Sequence, residues 1–80
     1  MPTVLSINGF RFFFFSADRN EPAHIHVSKG GGNGKIWLKP SVAVEELSGF
    51  KKQEEKQIIK IVNDNYNTLI TKWHEYFNNS

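Results

Sequence analysis

The spacing of apolar residues changes near residue 50, and that change restricts the chain to an α+β fold. Before it, "TVLSI", "FRFFFFS", "AHIHVSK" and "KIWLK" are short alternating or aromatic-rich runs, the signature of strands. After it, Ile58, Ile59, Val62, Tyr66, Leu69, Ile70, Trp73 and Phe77 recur at three- and four-residue steps, the period of a helix. Asn8-Gly9 between the first two runs is a two-residue type I′ hairpin signal. Pro22 has no N–H for a strand ladder, so the third strand starts after it, and Pro40 ends the fourth. "GGGNG" at 30–34 reads as a flexible connection. "VAVEEL" reads as an edge segment or a short fifth strand. The expected architecture is a four-stranded antiparallel meander packed against one long C-terminal helix. The strands fall within residues 3–44 and the helix runs from about Lys52 to about Phe77. The weak helix formers Asn63, Asp64, Asn65 and Asn67 mark where that helix would break.

The 80 residues make one domain, 1–80, and 39% hydrophobic content suits a folded chain. The absence of cysteine excludes disulfides and thiolate metal sites. "MPTVLSING" lacks the basic and apolar regions of a signal peptide, so a cytoplasmic location is expected. "FFFF" is far too short to span a membrane. A net charge of +2 and a pI near 9.1 permit an anionic partner without demanding one.

The hairpin register assigns the faces. Ile7 and Phe10 flank the turn and pair, so Leu5, Ile7, Phe10, Phe12 and Phe14 share a face. Adding Ile25, Val27, Ile36 and Leu38 gives an apolar face to set under the helix. The opposite face then carries Arg11, Phe13, Phe15, His24, His26, Lys35, Trp37 and Lys39. Aromatic residues interleaved with cations suit stacked bases and phosphates. They equally suit a protein partner or a second copy of the chain covering the sheet. A plainer reading has the Gly-rich loop and segment 41–50 covering these rings.

His24 and His26 stand two apart on the third strand, so their side chains are neighbours, roughly 7 Å apart at the Cα atoms. Two imidazoles can serve as acid and base in metal-independent RNA cleavage, with the 2′-OH as nucleophile. Glu21 joins them as the nearest carboxylate, and Arg11, Lys35 and Lys39 would hold phosphate while Trp37 and Phe13 stack bases. His24, His26 and Glu21, with Asp18 the next carboxylate, could hold a metal if a third ligand arrived, but no further His or Cys cluster completes the set. No metal or cofactor is therefore expected. Surface strand histidines serving only the adjacent loop are the bland alternative. "WHEYF" lacks the second histidine of an HExxH site.

Taken in order, "MPTVL", "FRFFFFS", "NEPAHIHV", "GGNGKIWL" and "KWHEYF" resemble a small bacterial family of unknown function, number 4160 among the domains of unknown function. The resemblance runs from Met1 to about Phe77, with Glu21, Pro22, His24, His26, Trp37 and Trp73 at its signature positions. "GFKKQEE" departs from it by lacking a Ser or Asp helix cap. The resemblance implies a neighbouring small protein and a toxin role in toxin–antitoxin modules. The resulting expectation is a type II toxin-like endoribonuclease with a small antitoxin-like partner. A non-enzymatic binding module or homodimer built on the aromatic and basic face stands as the alternative.

Overall fold

A computed structural model describes residues 3–78. The elements are β1 (Thr3–Ile7), β2 (Phe10–Phe13), a 3-10 segment (Ser16–Asn20), β3 (His24–Lys29), β4 (Gly32–Trp37), β5 (Ala43–Ser48), α1 (Lys52–Asp64) and α2 (Tyr66–Asn78). The α+β class and antiparallel meander stand. The sheet has five strands rather than four, in the order β1-β2-β3-β4-β5, and the C-terminal helix is two helices.

The hairpin follows the sequence: Ile7 pairs with Phe10, and Asn8 and Gly9 take φ of 55° and 83°. The Gly-rich stretch does not. Only Gly30 and Gly31 lie outside the strands, while Gly32, Asn33 and Gly34 belong to β4. Gly34 lies opposite Val27 and Leu47. A Cβ there would collide with Leu47 Cδ2 and stand 3.1 Å from Val27 Cγ1. Its glycine serves close packing, not mobility. With β4 lengthened at its start, "VAVEEL" finds a full partner and becomes β5, with Lys35 opposite Glu46 and Trp37 opposite Ala43.

The apolar face is as expected. Phe10, Phe12, Phe14, Ile25, Val27, Ile36 and Leu38 are buried, with Leu5 and Ile7 half-buried at the margin. Ile58, Ile61, Val62, Leu69, Trp73 and Phe77 close the core from the helices. Ile59, expected in the same stripe, is exposed.

The single long helix breaks at Asn65, whose φ of −115° and ψ of 20° leave the helical region. Its Nδ2 donates to Ile61 O at 2.8 Å, a side-chain bond that competes with helix propagation. The Asn65 carbonyl then accepts from Leu69 N and restarts the helix. A one-residue interruption leaves the buried stripe nearly in phase, so the periodicity did not reveal it. Tyr66 O–H donates to Leu38 O at 2.8 Å and anchors the start of α2 to the sheet. The helix begins at Lys52 without a Ser or Asp cap, because Glu54 reaches back to Lys51 N at 2.8 Å. No helix is long and apolar enough to cross a membrane among the described residues.

Gly34→Val is expected to lower stability by about 1–3 kcal/mol through overpacking against Leu47 and Val27. Urea unfolding should show a reduced midpoint with an unchanged slope.

Candidate functional site

The chain leaves β2 at Phe13 and turns through the 3-10 segment before Pro22 admits it to β3. That turn is closed by Asp18. Its backbone N–H donates to Phe15 O at 3.0 Å, and its Oδ2 accepts from Phe15 N–H at 2.9 Å. Asp18 is consequently buried, with its carboxylate directed at both strand histidines.

His26 Nε2 lies 3.0 Å from Asp18 Oδ2. A carboxylate only accepts, so Nε2 carries the proton and Nδ1 the lone pair. The ring stacks on Phe13, with centroids 5.7 Å apart, and meets the edge of Phe15 at 4.5 Å. The side chain is 16% exposed. Burial pushes its pKa below the ordinary imidazole value; the Asp18 charge opposes this, and the neighbouring His24 adds to it.

His24 differs from the reading that placed it on an open face, because it has no exposure at all. Its Nδ1 lies 2.9 Å from Pro22 O, a pure acceptor, so the ring donates there. Its Nε2 is 3.1 Å from Asp18 Oδ1 but outside hydrogen-bond geometry, and no donor meets it. Trp37 and Trp73 enclose the ring, each with a centroid 5.3 Å away. In the β3–β4 ladder His24 lies opposite Trp37 and His26 opposite Lys35, which puts these four residues on one face of the sheet, as alternation implies. What the alternation could not show is the cover supplied by the 3-10 segment and by Trp73 of α2. Phe13 is likewise buried, beneath Arg11 and beside Phe15, rather than offered to solvent.

The remaining expected residues surround this pair unequally. Arg11 is exposed, with its guanidinium carbon 5.0 Å from the Phe13 ring. Lys35 Nζ stands 4.5 Å from the Trp37 ring and 2.7 Å from Glu21 Oε1. Glu21, expected as the site's carboxylate, is therefore an exposed partner of Lys35. That hydrogen bond is the main cause holding its carboxyl below the usual range. Asp18, rather than Glu21, lies against the Nε2 atoms of both histidines. A signal was present, since a carboxylate three residues after Phe15 can accept that residue's N–H, but it was overshadowed by proximity in sequence. Trp37 Nε1 donates to Glu45 at 2.8 Å, which lends part of the aromatic face to β5. Lys39 lies beyond β4, lining a hollow with Pro22, Trp37, Pro40, Ser41 and Ala43. A cleft of about 370 Å³ opens beside His26 and Lys35, with Asn33, Gly34, Glu46 and Ser48 as its other walls.

When both rings are neutral, long-range proton–nitrogen NMR should find opposite tautomers, Nδ1–H for His24 and Nε2–H for His26. Asp18→Ala is expected to cost about 1–3 kcal/mol, because it strips acceptors from Phe15 N–H and from His26. Chemical denaturation measures that cost.

No curated protein and no solved structure matches the chain. A family model described as Domain of unknown function (DUF4160) matches residues 9–74, more than half of the sequence, and includes every residue of the Asp18–His24–His26 cluster. The chain belongs to that family.

Proposed function

We propose that this chain acts on RNA as a small metal-independent endoribonuclease, with His26 as the group that meets the substrate. One observation carries the reading: His26 is held through Nε2 by a buried carboxylate, so its other nitrogen is an acceptor. An imidazole oriented in this way by a carboxylate is the general-base arrangement of acyl and phosphoryl chemistry. His26 takes the 2′-OH proton as that oxygen bonds to phosphorus. The bond to the 5′-oxygen breaks, and the departing oxygen takes a proton from water.

His24 has no exposure, so its part is positional, exerted on the ring of His26 and on Asp18. Arg11 and Lys35 contact phosphate, and Glu21 orients the Lys35 ammonium. The exposed ring of Phe15 and the half-buried Trp37 offer surfaces on which bases stack, with Phe13 as a support beneath. Glu45 and Glu46 on β5 confine an anion to the β2–β4 part of the face. Lys39 assists only an RNA long enough to reach the Trp37 hollow. A small antitoxin-like protein covering Arg11, Phe15 and Lys35 would silence such an activity and place the chain in a toxin–antitoxin pair.

A second reading has its own observation. Exposed Val44 lies on β5, an outer strand of the sheet, and exposed Phe15 lies beside the histidines. These features suit a non-catalytic protein-binding module or a homodimer.

The test is cleavage of an unstructured RNA oligonucleotide by the purified chain in the presence of a chelator. His26→Gln is expected to lose about 10²–10⁴-fold in rate while still binding RNA. Arg11→Ala and Lys35→Ala should weaken binding and flatten its dependence on salt. Intact RNA with the wild-type chain, or a rate unchanged by His26→Gln, rejects the proposal in favour of the second reading.

A further inference from the structure

We propose that Asp18, His24 and His26 form a binding site for one divalent transition metal of the zinc class. The strongest observation is the orphaned nitrogen. His24 Nε2 is fully buried, meets no hydrogen-bond donor and faces Asp18 Oδ1 at 3.1 Å. With Nδ1–H committed to the Pro22 carbonyl, Nε2 presents a lone pair to a carboxylate lone pair. Two acceptors at that distance in a buried setting call for a cation between them.

The donor set fits such an ion. One ligand atom from each of the three side chains lies within 4.8 Å of the others. Ligands at about 2.0–2.1 Å in tetrahedral array stand roughly 3.3 Å apart, so the three side chains close in on the ion and water takes the fourth position. The outer contacts are those that hold metal ligands in place. Pro22 O fixes the His24 tautomer, and Phe15 N–H holds Asp18 Oδ2. Two imidazoles and one carboxylate suit zinc, whereas calcium and magnesium need more oxygen ligands. Trp37 and Trp73 shield the His24 side, and the 16% exposure of His26 leaves an approach from solvent. Glu21, the carboxylate nearest in sequence, is excluded because it lies on the Nδ1 side of His24 and is held by Lys35.

Occupancy would also regulate the chemistry proposed above, and this consequence alone rests on that reading. Metal binding takes the Nε2 lone pair of His26, so its Nε2 proton is lost and Nδ1 gains one from solvent. No net proton is released, but Nδ1 changes from acceptor to donor. The metal-loaded chain therefore lacks the base, and the metal acts as an inhibitor.

The experiment uses the full untagged chain, stripped with a chelator and titrated calorimetrically with Zn²⁺, with Mg²⁺ as the control. One Zn²⁺ per chain is expected, with no Mg²⁺ binding at the same concentrations. His24→Gln and Asp18→Asn should each weaken Zn²⁺ binding by at least about tenfold. Glu21→Gln and His74→Gln should leave it unchanged. Should the ligand variants fail to fold, the wild-type chain still decides the matter. Cobalt(II) should give a tetrahedral visible spectrum, and Zn²⁺ should move the ring nitrogens of His24 and His26 but not those of His74. Absent Zn²⁺ binding, or binding indifferent to His24 and Asp18, overturns the site. Cleavage assays with and without Zn²⁺ separate the two proposals. Zn²⁺ binding at these residues without RNA cleavage under any condition sustains the metal site and rejects the nuclease. RNA cleavage that Zn²⁺ does not inhibit rejects the regulatory role.

Discussion

The buried Asp18 carboxylate is the constraint on which the arrangement of the two strand histidines depends. A charge taken out of water is tolerated only where donors meet it. Two donors reach Oδ2, the Phe15 N–H and the His26 ring, and they come from opposite ends of the turn that links β2 to β3. A 3-10 segment of five residues closes few backbone hydrogen bonds of its own, here Asp18 N–H to Phe15 O and Glu21 N–H to Asp18 O, each at 3.0 Å. The side-chain bonds of Asp18 hold this turn against the strand and so give the two imidazoles their fixed relation.

The site is also continuous with the core. Trp73 packs against Phe14 and Phe77, which belong to the apolar interior, and against His24, which belongs to the site. Tyr66 ties the same helix to the end of β4 through the Leu38 carbonyl. Packing that stabilises the sheet thus also holds the inner histidine, and His26 sits on a paired strand rather than on a loop. The outer surroundings are less rigidly defined. Lys35, Glu21 and Arg11 are surface groups whose pairings are weak in water and free to rearrange around a ligand.

Much of this was readable from residue order. Asn8-Gly9 demanded a tight turn, the turn set Ile7 against Phe10, and alternation then sorted the side chains into two faces. The shared face of His24, His26, Lys35 and Trp37 follows from that logic, whereas the pairing of His26 with Lys35 and of His24 with Trp37 was set by β4 starting at Gly32. Logic of this kind fails where one side chain competes with a regular backbone. Asn65 donates to Ile61 O and divides the helix, yet the apolar stripe continues beyond it. Gly32 and Gly34 resemble a loop by composition, but they are strand residues placed where neighbours leave no room for a Cβ.

Local sequence determined the first three strands, the β1–β2 register and which residues share a face, because these depend on neighbours a few positions away, whereas the full length of β4 and its pairing with β5 were not legible in it. The assignment of Asp18 rather than Glu21 to the histidines, and the burial of His24, were decided by tertiary structure. The burial of His24 needs Trp73, which comes from the second helix far along the chain, and the placement of Asp18 needs the 3-10 turn to fold back onto β3, which alternation does not encode. Alternation along a strand specifies the side of the sheet on which a residue lies. Whether that side meets water depends on what packs over it, and a periodic pattern carries no record of this.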